Sequence, residues 1–182
     1  MNRRTKNNAK RDTGTRTLTA IEGIDINNQP IVIRDQTIKG VYAINAHPTV
    51  LHEGKKYAFK IGSGGLTQQS NIYKRLYSYG TVYPNGHWQT VFLLTHSEVN
   101  TRNLENQLHA YFNNNRYQTQ FLGRTRHEWF VLTLASLRKG FKEIYKRNKP
   151  IMPDLQYIQS NVSDAEMKTN EQLIKSEKRQ FA

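Results

Sequence analysis

Cysteine is absent from this 182-residue chain, which excludes disulfides, thiolate metal sites and cysteine nucleophiles. Acidic side chains are scarce: 14 Asp and Glu face 27 Lys and Arg, for a formal net charge of +13. Such an excess points to a polyanionic partner, with nucleic acid first among them. No stretch approaches the roughly 18 consecutive apolar residues that span a bilayer. The opening "MNRRTKNNAKRDTGTRT" has no apolar segment of the secretory kind. The expectation is a soluble, intracellular protein with no membrane partner, long enough for one ordinary domain with extensions.

Residues 1–17 carry Arg3, Arg4, Lys6, Lys10, Arg11 and Arg16 against a single acid, Asp12, and read as a flexible basic arm that contacts phosphates. Residues 18–36 form an N-terminal extension whose alternation in "IEGIDINNQPIVIRD" predicts two short strands around a turn at 27–30. The compact unit runs over 37–147. "GVYAI" (40–44) and "YAFKIG" (57–62) read as strands joined by a loop holding Pro48 and Gly54, with Lys60 on the face opposite Tyr57, Phe59 and Ile61. A helix follows over 69–79, with Ile72, Leu76 and Tyr79 at helical spacing and Gly80 as its stop.

"HWQTVFLLTH" (87–96) is a third strand. Residues 100–114 read as a helix capped by Asn100, with Leu104, Leu108, Tyr111 and Phe112 as its core stripe. "HEWFVL" (127–132) is a last strand, before a helix over 134–147 broken or bent near Gly140. This order predicts an α+β fold, a small, mostly antiparallel central sheet flanked by helices. Residues 148–182 read as a polar C-terminal tail in which Ser163 and Glu166 form a capping box opening a helix to Lys178.

Chemistry is suggested by spacing. Arg75 and Tyr79, four apart, project from one side of a helix near its end. A guanidinium grips phosphate with two hydrogen bonds, and a phenol can hold a water or a phosphate oxygen; a solvated arginine beside a core tyrosine would give the same pattern. Glu105 and His109 repeat the spacing on the next helix. Between Gln36 and Gly140 the acids are Glu53, Glu98, Glu105 and Glu128, so a hard divalent cation would be held by one carboxylate, waters and substrate phosphate. An ion pair of Glu105 with Arg102 is the plainer reading. Tyr42 and Lys60 could meet across the first hairpin, where an ammonium would favour the phenolate of a base.

In order along the chain, Gly40-Val41-Tyr42, Lys60-Ile61-Gly62, "RLYSYG" (75–80), "LENQLHAYF" (104–112) and "HEWF" (127–130) resemble the GIY-YIG nuclease superfamily, in its phage and restriction-type subgroup. Lysine stands where the second name-giving tyrosine usually does. The resemblance spans about residues 38–135 and implies a metal-dependent DNA endonuclease of restriction, mobile-element or phage origin, in a prokaryotic or viral setting. In that scheme Tyr42 is the preferred general base, and Lys60 lowers its pKa or aids the water. Arg75 neutralises phosphate charge and Tyr79 positions the phosphate or water. Glu105 binds one Mg2+ or Mn2+ per active site, and His109 contacts the metal's water or lies one hydrogen bond behind it. Lys74 and Arg116 join the basic arm as nucleic-acid contacts. A palindromic target would need two active sites, hence a homodimer or sequential nicking. The alternative is a catalytically silent DNA-binding or structural protein on the same scaffold.

Overall fold

The apolar segments "GVYAI" and "YAFKIG" become the centre of an antiparallel sheet. The computed structural model describes residues 20–45, 51–52, 56–64, 72–76, 88–117, 120–121, 124–125 and 128–160. The basic arm, Tyr79 and the tail helix expected at 163–178 lie outside them. The strands are β1 (Ile21–Ile24), β2 (Pro30–Ile33), β3 (Lys39–Asn45), β4 (Leu51–His52), β5 (Lys56–Gly64), β6 (Trp88–Thr95), β7 (Gln120–Phe121), β8 (Arg124–Thr125), β9 (Trp129–Thr133) and β10 (Gln156–Gln159). Helical residues 72–76 form α1; α2 is Glu98–Tyr111 and α3 is Leu134–Asn148. The main sheet runs β2-β1-β10-β6-β3-β5, with β4 and β9 both on β5, while β7 and β8 pair separately. Every pairing is antiparallel. The fold is α+β, as expected.

Both faces of the central strands are buried. Val41, Ala43, Phe59, Ile61 and Leu93 pack with Leu104 and Leu108 of α2 and Leu137, Phe141 and Ile144 of α3. Tyr42, Ile44, Phe92 and Leu94 pack on the other face with Ile72, Tyr73 and Leu76 of α1 and with Ile21 of β1. Two-sided burial explains why these strands are apolar at successive positions rather than only at alternate ones.

The β1–β2 hairpin turns through Asn28 in the left-handed region (φ 62°). The Asp25 carboxylate accepts from the backbone N–H groups of Asn27 and Gln29, both at 2.8 Å. Pro30, which has no N–H to give, opens the edge strand β2.

Four details depart from the sequence reading. Helix α2 is capped by Ser97, whose hydroxyl accepts from Asn100 N–H at 3.3 Å, so Asn100 lies inside the first turn. Tyr111 is 42% exposed rather than part of the core stripe. The stretch taken as a polar tail contributes β10, with Met152, Leu155, Tyr157 and Ile158 buried. Asp154 fastens that segment to the end of β6 by accepting from Thr95 Oγ1 (2.7 Å) and His96 N–H (2.8 Å). These bonds hold its carboxyl below the usual range.

The fourth concerns Gly140. Helix α3 runs unbroken through it, because the glycine is a packing notch rather than a hinge. A Cβ there would lie 2.2 Å from Phe112 Cζ and 2.9 Å from Tyr111 Cε1. Alanine has the better helix propensity by about 1 kcal/mol. Phe112 is buried and has nowhere to go, so Gly140→Ala is expected to destabilise the fold by about 2 kcal/mol net. Thermal or urea unfolding checks this.

Candidate active site

The site is set by where one strand stops being paired. Strand β9 accompanies β5 over Lys56–Lys60 and makes one more bond, Ile61 N–H to Glu128 O at 3.0 Å. Strand β3 continues on the other side as far as Gly64. From Gly62 to Gly64 the outer edge of β5 therefore has no strand partner among the described residues. Side chains from either face of the sheet can reach around that edge.

From the α1 face comes Tyr42, fully buried and opposite Gly62 in register. Its phenol lies over that glycine: a Cβ on Gly62 would stand 3.0 Å from the Tyr42 oxygen. Helix α1 sits equally close, because a Cβ on Gly64 would be 2.9 Å from Ile72 Cα and 3.3 Å from Arg75 Cβ. Arg75 thereby places its Nε–H on the Tyr42 phenol oxygen at 3.4 Å. The helix is tied from behind as well, since the buried Tyr73 gives its hydroxyl proton to Ile33 O of β2 at 2.7 Å.

From the opposite face comes α2. Its stripe of Leu104 and Leu108 fixes the rotation of the helix against the sheet, which turns Glu105 and His109 toward β5. Glu105 accepts a 2.6 Å hydrogen bond from Ser63 Oγ. His109 Nε2 lies 2.9 Å from Ile61 O. A carbonyl can only accept, so Nε2 is the donor and Nδ1 is left facing away from the strand's backbone. The plainer reading of Glu105 is not what forms: Arg102 pairs with Glu98 instead, at 3.3 Å.

Lys60 and Glu128 close the ring. Tyr42 and Lys60 share a sheet face, as the register Tyr42↔Gly62 and Ile44↔Lys60 requires. The Lys60 ammonium binds the Glu128 carboxylate at 2.6 Å, with the lysine side chain only 13% exposed. Burial pushes the Glu128 carboxyl up. The Lys60 hydrogen bond and charge, helped by His109 and Arg75, outweigh it and leave the group below its ordinary range. His109 from one face and Arg75 from the other thus both favour the charged form of one carboxylate.

Ser63 and Glu128 were given no role by sequence reasoning. Glu128 had a signal, being one of four acids in the acid-poor stretch; Ser63 had none beyond following Gly62. Of the expected nucleic-acid contacts, Lys74 is exposed beside Arg75. Arg116 is half-buried, its Nε–H on Asn113 Oδ1 at 2.8 Å and its guanidinium over the Phe130 ring at 5.4 Å. That ring also packs on His109, with centroids 5.3 Å apart. Trp129 is buried in the cluster on the α1 face of the sheet.

A metal caged by protein does not fit: among the described residues no group of three or more His, Asp or Glu is arranged to hold one. A cation held by a single carboxylate, with waters and substrate phosphate completing the shell, does fit Glu105. Its carboxylate is half-buried and already oriented by Ser63. Among the described residues no helix is long and apolar enough to cross a membrane.

A family model described as "T5orf172 domain" matches residues 40–145, from Gly40 at the head of β3 into the last turn of α3. No curated protein and no solved structure matches the chain. The hairpin β1–β2 and strand β10 lie outside the matched span.

Proposed function

The chain belongs to the T5orf172 domain family, a phage-associated, nuclease-related domain, and from that premise and the geometry at the β5 edge we propose that it is a metal-dependent DNA endonuclease of the GIY-YIG type. The observation that carries the reading is the joining of Arg75 to the Tyr42 phenol over Gly62, one residue from the Ser63–Glu105 contact.

The chemistry follows from those groups. Arg75 donates to the phenol oxygen, which favours the phenolate and lets Tyr42 take a proton from the attacking water. The same guanidinium, carried on an exposed residue, meets the charge that builds on the phosphate. The ammonium of Lys60 adds a second positive charge, held in place by Glu128. Fastened at Nε2 to Ile61 O, His109 offers Nδ1 to a water. Glu105 would hold the divalent ion, which supplies charge stabilisation for the leaving 3′ oxygen. Tyr79, outside the described residues, keeps the role that the resemblance implies, holding phosphate or water.

Supercoiled plasmid incubated with the protein and Mg2+ or Mn2+ should be nicked, and chelator should stop the reaction. RNA offered in parallel separates the polymers. Tight binding with no nicking across metals and random sequences would replace this reading with that of a DNA-binding scaffold. Sequencing the cut ends on random DNA reports target and stagger together, and with them whether two copies act on a palindrome.

A further inference from the structure

A second site lies on the same edge of the sheet, at the far end of β5. A cavity of about 270 Å3 is bounded by Lys56 of β5, Tyr111 at the end of α2, Asn115 in the turn that follows it, Val131 to Thr133 of β9, and Lys139 of α3. Its floor includes the buried Phe112 and Leu132. Lys56 and Lys139 are both exposed at its rim, and no carboxylate is among its lining residues. Beside the lysines stands Tyr111, whose ring is fixed by an edge contact with Phe112 at 4.9 Å and left 42% exposed. Two cations around a partly apolar wall complement a phosphate and the sugar attached to it, in a protein whose net charge of +13 already favours polyanions.

We infer that this cavity is a second phosphate-docking site, which takes the sugar-phosphate backbone of duplex DNA several base pairs from the bond to be cut. The inference rests on reading the β5 edge as the cutting site. The spacing comes from the strand itself. From Ser63 to Lys56 is seven residues, about 23 Å at ~3.3 Å per residue. A duplex laid along β5, rising ~3.4 Å per base pair, meets the cavity about seven base pairs from the scissile bond. The contact carries no base readout; it fixes where along the duplex the catalytic edge sits.

The test measures binding without divalent metal, so it does not depend on cleavage. Full-length wild type and the Lys56→Gln/Lys139→Gln double variant are titrated with duplexes of two lengths, about six and about sixteen base pairs; by the ~3.4 Å rise only the longer can bridge both sites. On the long duplex the variant should bind about tenfold more weakly, and its log-log salt slope should fall by about 2, one per lost phosphate contact. On the short duplex it should bind nearly as wild type does. A charge-matched control, Lys146→Gln/Arg147→Gln at the other end of α3, should keep the length effect, and Lys56→Arg/Lys139→Arg should restore it. Wild-type affinity of the double variant on the long duplex would overturn the inference. So would an equal loss on both lengths, which would mean only that charge had been removed. A protein that shows the length effect but never nicks plasmid would keep the docking site and lose the nuclease.

Discussion

Glu105→Gln should lower nicking at saturating metal by at least about a thousandfold, roughly 4 kcal/mol of lost transition-state stabilisation. DNA binding measured without metal should stay near wild type. The substitution keeps shape and keeps an oxygen to accept from Ser63 Oγ, so the 2.6 Å contact has an isosteric replacement. What disappears is the negative charge. In an acid-poor site there is little to take its place: the other carboxylate, Glu128, is already bound to Lys60 at 2.6 Å, and among the described residues no acid and histidine cluster stands in reserve. A drop in activity with unchanged duplex affinity separates loss of the ion from loss of fold or of substrate. Full activity in Glu105→Gln would remove the carboxylate from the mechanism. Ser63→Ala makes the graded companion, since it leaves the charge and removes only its orientation; a loss of about tenfold is expected, in the range seen when a supporting hydrogen bond behind a metal ligand is cut.

Local pattern made the central strands and α2 legible. Tyr57, Phe59 and Ile61 alternate, while Leu104 and Leu108 repeat at helical spacing, and both signals survive tertiary packing. Strand β10 was hidden because "IMPDLQYIQS" is short, holds a proline and sits before a polar run; what makes it a strand is the vacant edge of β6, which is not written locally. Gly140 was misjudged for a related reason. Helix propensity is a local property of the helix itself, and the pressure keeping a glycine there comes from Phe112, the residue that caps the end of α2.

The candidate site divides in the same way. Residue types and their order pointed to Tyr42, Arg75 and Glu105. That Tyr42 lies over Gly62 depends on strand register, and register is set by long-range pairing. Glu128 could be counted in the sequence but not assigned, because its neighbours Lys60, His109 and Arg75 come from three other elements.

Arg75 is the second residue whose loss should nearly silence the protein. Arg75→Ala is expected to cut nicking by about a thousandfold, the size of effect found when a preorganised donor to developing charge is removed. Lysine should restore little of it. The guanidinium is asked to do two things in one plane: to place Nε–H on the Tyr42 oxygen at 3.4 Å and to present its outer N–H groups to phosphate. An ammonium on a flexible stem can serve one but not both. Duplex affinity should change little, because one phosphate contact among many basic groups is lost. A pH series then tells charge neutralisation from activation of the phenol. If Arg75 only neutralised phosphate, the residual activity of Arg75→Ala would keep the wild-type pH profile at a lower rate. If it also favours the phenolate, withdrawing the cation makes the proton harder to remove, and the rising limb of the profile moves to higher pH. The expected result is that upward move. A parallel profile would leave Arg75 its hold on phosphate and take from Tyr42 its helper as a base.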